Sequence, residues 1–221
     1  MPRKPQNDKQ ELAARTVAAL KTLYPDAICS LTYSDPLQLL IAVRLSAQCT
    51  DARVNKVTPA LFARYPDLDA LCGATAEDVG RIIQSCGLFR TKARDICEMA
   101  HMLRDRFGGV VPDSMEALLQ LPGVGRKTAN LILGDVYGQP AIVADTHCIR
   151  IAGRIGLTDG TKDPLKTERQ LRACVEPSEG SDLCHRFVLF GREICTARSP
   201  RCDGCPLRGF CRSAAQATET D

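Results

Sequence analysis

The sequence lacks any long apolar run: the longest uncharged one is five residues, 39–43 (LLIAV), so no segment is long enough for a membrane-spanning helix. No apolar core follows the basic residues of the N-terminal MPRKPQNDKQ, which excludes a secretory signal there and predicts a protein that is not secreted. Sustained alternation of apolar and polar residues is missing too, which leaves no half-buried strand. Internal repeats and low-complexity segments are absent. Tryptophan is absent and aromatics are few, with four Tyr and six Phe. Charge of one sign is scarce: 29 Lys and Arg against 26 Asp and Glu leave +3, which by itself implies no polyanionic partner.

What is abundant is cysteine, 12 in 221 residues. Without a signal peptide they argue against a disulfide scaffold, because the cytosol keeps thiols reduced. The cysteines are then either apolar filler or metal ligands. Arginine is abundant as well, 21 of the 29 basic residues, and its planar fork suits phosphate. The remaining composition, 44% hydrophobic and 25% charged, is that of an ordered globular chain.

The apolar period is helical nearly everywhere. Ala13, Val17, Leu20 and Tyr24 mark one helix, and Ile96, Met99, Ala100 and Leu103 mark another. Val79, Ile82, Ile83 and Cys86 mark a third, opened by Thr75 with Asp78 three residues on, a capping-box pattern. Pro36 suits the first turn of a helix through LQLLIAVRLSAQ. The short run AIVA before Asp145 is the one strand-like stretch, and a buried connector explains it equally well. The pattern predicts an all-α protein of roughly ten helices. Residues 213–221 are polar and predicted to be a disordered tail.

Cys195, Cys202, Cys205 and Cys211 form a C-x6-C-x2-C-x5-C stretch within 17 residues. Four thiolates so close suit a [4Fe–4S] cluster, which takes one per iron. Zinc is the rival, although its modules usually show two paired knuckles or substitute histidines. The other eight cysteines are scattered and read as core filler.

Residues 121–130 read LPGVGRKTAN between two helical runs, SMEALLQ and TANLILGDVY. A Gly-x-Gly hairpin leading into a helix presents backbone N–H groups at a helix N-terminus, which binds phosphate with little need for side-chain charge. Gly123, Val124, Gly125 and Arg126 are the candidate contacts. Lys127 falls on the face opposite the stripe of Ala129, Ile132, Leu133 and Val136. It is either a solvated surface lysine or, as a neutral amine, a nucleophile able to form a Schiff base. Asp145 opens the next helix, with Ile149, Ala152 and Gly156 read as the inward face. It is an N-cap that leaves room for a second duty.

With LPGVGRKTAN, the aspartate of VADTH and the cysteine loop in this order, the chain resembles the endonuclease III family of DNA repair glycosylases. DPLQLLIAVRLSAQCTD and GLFRTKA extend the resemblance, which covers about residues 10 to 211. It implies two helical lobes with a cleft between them. A six-helix domain over residues 29–140 would carry the helix-hairpin-helix at about 114–137. Residues 1–28 and 141–212 would form the iron–sulfur-cluster domain, with the cluster loop at 195–211. It further implies a bifunctional glycosylase and abasic-site lyase, a monomer acting on double-stranded DNA with damaged pyrimidines or abasic sites. A cytoplasmic place is implied, on the nucleoid when bound to DNA.

By the same resemblance Lys127 is the nucleophile, Asp145 its partner and the four cysteines the [4Fe–4S] ligands. Gln48 would fill the gap left by a flipped base, and Leu88 would be an apolar wedge inserted from the other side. Arg198 and Arg201, in the first cluster loop, would touch phosphate. Two positions depart from the family pattern: Arg44 is usually aliphatic, and Cys49 is commonly a small Ala or Thr. A mismatch adenine glycosylase of the same superfamily is the nearest rival. It typically lacks a lysine at the hairpin and carries a further C-terminal domain. A non-catalytic helix-hairpin-helix DNA-binding protein with a structural metal is a second rival, and a redox carrier a third.

Overall fold

The computed structural model describes residues 5–218, and no strand occurs among them. Twelve α-helices follow one another: α1 (Pro5–Leu23), α2 (Pro36–Ser46), α3 (Asp51–Arg64), α4 (Leu68–Cys72), α5 (Ala76–Ile83), α6 (Phe89–Phe107), α7 (Met115–Leu118), α8 (Arg126–Asp135), α9 (Thr146–Ile155), α10 (Pro164–Arg172), α11 (Gly180–Glu193) and α12 (Arg212–Thr218). Two short 3-10 turns, Pro177–Glu179 and Arg208–Phe210, complete the set. No helix is long and apolar enough to cross a membrane among these residues.

The chain divides into two compact units. One is continuous, Cys29–Gly138, and the other joins the N-terminal residues through Ile28 to everything from Gln139 onward.

In the continuous unit the apolar periods meet in one core. Leu39, Leu40 and Leu45 of α2, Val54 and Leu61 of α3, Val79 and Ile83 of α5, and Ile96, Met99, Ala100 and Leu103 of α6 are all sealed from solvent. Each of the Val, Leu, Ile and Met side chains contributes about 1.5–3 kcal/mol relative to an exposed one. Local signals set the helix starts. Asp35 accepts the Gln38 amide at 2.9 Å just before Pro36. Thr75 accepts the Asp78 amide as the sequence predicts, and its hydroxyl donates to the Asp78 carboxylate at 2.7 Å.

In the other unit, α9 buries Cys148, Ile151, Ala152 and Ile155. This corrects the predicted inward face: Ile149 and Gly156 are only partly buried, because the stripe runs one residue earlier. The crossing of α9 and α11 is close enough that a Cβ on Gly191 would lie 2.4 Å from His147 Nδ1. The AIVA run is a buried connector rather than a strand, with Ala141 and Ile142 each 2% exposed.

Two further expectations are corrected. Roughly ten helices become twelve, because single turns such as α7 carry too few residues to show a period. The tail predicted as disordered from 213 is helical from Arg212 to Thr218, where Ala214 and Ala215 amides reach the Cys211 carbonyl at 3.1 Å. Residues 219–221 lie outside the described residues.

Candidate functional site

The hairpin lies in the continuous unit. Leu121 and Val124 are buried anchors, and the Val124 amide closes the turn on the Leu121 carbonyl at 3.1 Å. Gly123 has φ +74, a left-handed conformation that glycine adopts without a Cβ penalty. Gly125 is the N-cap of α8 and supplies no side-chain cap, while a Cβ added there would meet nothing within 4 Å. The exposed turn thus presents the start of α8 to an incoming anion with open space before it. Arg126 and Lys127 occupy the first turn of α8, both exposed, whereas Ala129, Ile132 and Leu133 are buried. Lys127 is therefore on the outer face, as its position opposite the apolar stripe predicts.

Gln48 and Leu88 are the two described non-glycine residues with left-handed backbones, at φ 53 and φ 58. Gln48 sits in the tight link between α2 and α3, and Leu88 is the N-cap of α6. The two segments touch: a Cβ on Gly87 would lie 3.2 Å from the Gln48 carbonyl oxygen. Leu88 is 59% exposed, an unusual place for a leucine and at odds with a core role. Beneath this pair Lys92 is fully buried and donates to the Leu45 carbonyl at 2.7 Å, tying α6 to the end of α2. Burial lowers its amine from the ordinary lysine range. Cys86, also buried, has its thiol pushed up to about 11 by burial, with the adjacent Cys49 adding to the effect.

Asp145 lies in the other unit. Its Oδ1 accepts the Cys148 amide at 2.7 Å as the N-cap of α9, which leaves Oδ2 outside the cap.

Cys195, Cys202, Cys205 and Cys211 line one cavity of about 210 Å³ together with Ile155, Phe190 and Leu207. Burial raises the Cys205 thiol, and such thiols lose their protons when they bind metal. Four thiols lining one cavity fit a cubane, which takes one thiolate per iron.

Sequence reasoning missed the arginines that hold this loop. Arg154 donates to the Cys195 Sγ at 3.4 Å, the Thr196 carbonyl at 2.7 Å and the Ala197 carbonyl at 2.8 Å. Arg150 donates to the Cys195 carbonyl at 3.1 Å. Their spacing of four residues on α9 is the one available signal, since it puts both on one face. Arg198 and Arg201 are exposed on the loop, and Arg201 borders the cavity.

The described residues therefore define a helical, hairpin-bearing protein with a four-cysteine cluster site, and comparison with known proteins identifies the class. Residues 41–177 match the model of HhH-GPD superfamily base excision DNA repair proteins, and residues 195–211 match the iron-sulfur binding domain of endonuclease III. The chain is 45% identical over 207 residues to endonuclease III of Synechocystis sp., covering 93% of this chain and 94% of that one. It is 39% identical over 188 residues to that of Escherichia coli K12, covering 85% and 88%. Among solved structures, a trapped endonuclease III–DNA covalent intermediate, an estranged-adenine complex, superposes with a TM-score of 0.88 at 40% identity, covering 95% of this chain and 98% of that one. A thermostable thymine-DNA glycosylase at 22% identity and TM-score 0.83 shares the fold. The chain belongs to the endonuclease III family. It is accordingly a base excision repair DNA glycosylase and abasic-site lyase, and its cofactor is a [4Fe–4S] cluster.

Cys195, Cys202, Cys205 and Cys211, which line one cavity, would hold that cluster, which when bound would supply a rigid core to a loop with little of its own. Cys205→Ser is expected to lower iron content well below about four atoms per chain. The same variant should open residues 195–211 to proteolysis, read by mass spectrometry. Full iron content in the variant would exclude Cys205 as a ligand.

Proposed function

We propose that this enzyme removes oxidised pyrimidines from duplex DNA and cuts the strand at the resulting abasic site, with Lys127 as the nucleophile. The observation that carries this reading is an exposed lysine one residue inside a helix that begins at an uncapped Gly-x-Gly hairpin. Its likeness to an endonuclease III trapped covalently on DNA supports a covalent route.

The target base is inaccessible in the stack, so the nucleotide is turned out of the duplex. Gln48 fills the vacated space and Leu88 wedges in from the other side. That role explains why an apolar side chain is held in solvent on a left-handed backbone. The hairpin residues Gly123, Val124, Gly125 and Arg126 hold a phosphate, with Arg198 and Arg201 adding contacts to the backbone. The neutral Lys127 Nζ attacks C1′ and the C1′–N bond to the base breaks. The base leaves with a proton, and the amine becomes an imine after the sugar ring opens. Loss of a C2′ proton then expels the 3′ phosphate by β-elimination, and water hydrolyses the imine to free Lys127. Asp145 assists proton transfer and stabilises the developing positive charge on the sugar.

One chain carries both reacting groups, which supports a monomer. The DNA substrate and bacterial relatives support a cytoplasmic site of action, on the nucleoid while bound to DNA.

The test is a panel of duplexes carrying thymine glycol, an abasic site, or adenine opposite 8-oxoguanine, each treated with borohydride. Covalent adducts are expected with the first two and none with the third. Adenine release without a trapped adduct would replace this reading with that of a mismatch adenine glycosylase.

A further inference from the structure

A buried ion pair lies directly under the hairpin and takes no part in the chemistry above. Arg44, on α2, donates through Nε at 2.8 Å and Nη2 at 2.5 Å to the same oxygen, Oδ2, of Asp95 on α6. Both side chains are largely enclosed, at 12% and 10% exposure. The pair abuts the turn itself: a Cβ on Gly123 would lie 2.3 Å from Arg44 Nε and 2.8 Å from Asp95 Oδ2. Arg94 also approaches this carboxylate, 3.9 Å from Oδ1, but is 63% exposed, so solvent screens it.

A carboxylate at this depth opposes any anion brought to Gly123. Left alone, Asp95 would subtract from the potential that the hairpin amides and the α8 terminus provide. Arg44 converts it into a neutral, rigid floor. Its guanidinium spends two donors, Nε and Nη2, on one carboxylate oxygen, charge-assisted bonds that hold the pair in place. The geometry points to Arg44 as a positioning residue that neutralises Asp95 beneath the hairpin, so that the turn at Gly123 accepts a DNA phosphodiester. The two residues therefore act as one unit, and a cation at position 44 matters because Asp95 stands opposite it. The inference rests on the reading of the hairpin as the phosphate site.

Four holoenzyme variants separate the possibilities: Arg44→Gln, Asp95→Asn, the double Arg44→Gln/Asp95→Asn, and Gly125→Ala. Each is checked for its helical circular dichroism and iron content, then measured for Kd on abasic-analogue DNA across a salt series and for KM and kcat. Arg44→Gln should weaken DNA binding about tenfold at low salt by exposing an uncompensated carboxylate. That loss should appear in KM rather than kcat. The double variant should recover to within about threefold of wild type, because the offending charge is gone. A double variant as weak as Arg44→Gln would overturn the proposal, since the loss would then be one of packing. So would a salt slope that falls by about one without rescue, which would make Arg44 itself a phosphate ligand. Wild-type binding by Arg44→Gln would likewise sink it. Gly125→Ala tests the underlying reading separately. Its methyl meets no protein atom but intrudes on the anion's space, so weakened binding keeps the hairpin as the phosphate site whatever Arg44 does. Unchanged binding by Gly125→Ala would remove the hairpin reading itself.

Discussion

Lys127→Ala is expected to abolish the borohydride-trapped adduct on abasic-site DNA and to slow strand cleavage by about 10³-fold or more, the scale for loss of a nucleophile. That factor corresponds to roughly 4 kcal/mol of transition-state stabilisation. The fold should not register the change, because Lys127 is exposed and the apolar face of α8 is on the other side. Alanine is also a strong helix former, so a stable helix is retained. DNA binding should persist, since the hairpin amides do not depend on this side chain. Trapping by Lys127→Ala at the wild-type level would show that another amine is the nucleophile, and peptide mapping of the adduct would name it.

Asp145→Asn should slow base release by about 10²–10³-fold while leaving the melting temperature nearly unchanged. The two effects separate because the observed helix cap and the proposed charge stabilisation draw on different properties of Asp145. Its Oδ1 caps α9 by accepting the Cys148 amide, and the amide oxygen of asparagine performs that task as well. Asparagine lacks the negative charge proposed to steady a developing cation. Asp145→Ala loses both, and the missing cap costs about 1 kcal/mol, or about 2–4 °C in a chain of this size. Single-turnover kinetics beside thermal melts would separate them. If Asn and Ala variants lose activity equally and only in step with stability, Asp145 is a cap and nothing more.

The parts of this molecule that are legible in its sequence are those specified locally. The stripe Ile96, Met99, Ala100 and Leu103 predicts the buried face of α6 because a helical period forces those side chains together. Thr75 and Asp145 announce helix starts because capping is a contact across three residues. The cysteine loop is legible because its ligands come from one short segment. Contacts between distant segments leave no such mark. Arg44 and Asp95 are 51 residues apart, and the hold of Arg154 on the cysteine loop spans 41 or more. The face of α9 is ambiguous by one residue in the sequence, because Cys148 and Ile149 are both apolar and periodicity alone does not choose between them. The exposure of Leu88 is legible only through family resemblance, since composition sends leucine to the core.

The left-handed backbones at Gln48 and Leu88 bear on how far this protein can be made more robust. A side chain in that conformation costs about 1–2 kcal/mol per residue relative to an ordinary backbone, a cost that glycine escapes. Selection for heat tolerance alone would therefore favour glycine at both positions, and would do so by discarding the two side chains proposed to enter the DNA. Stabilising substitutions in this enzyme have to be sought elsewhere. Its margin against unfolding is set in part by the work it performs.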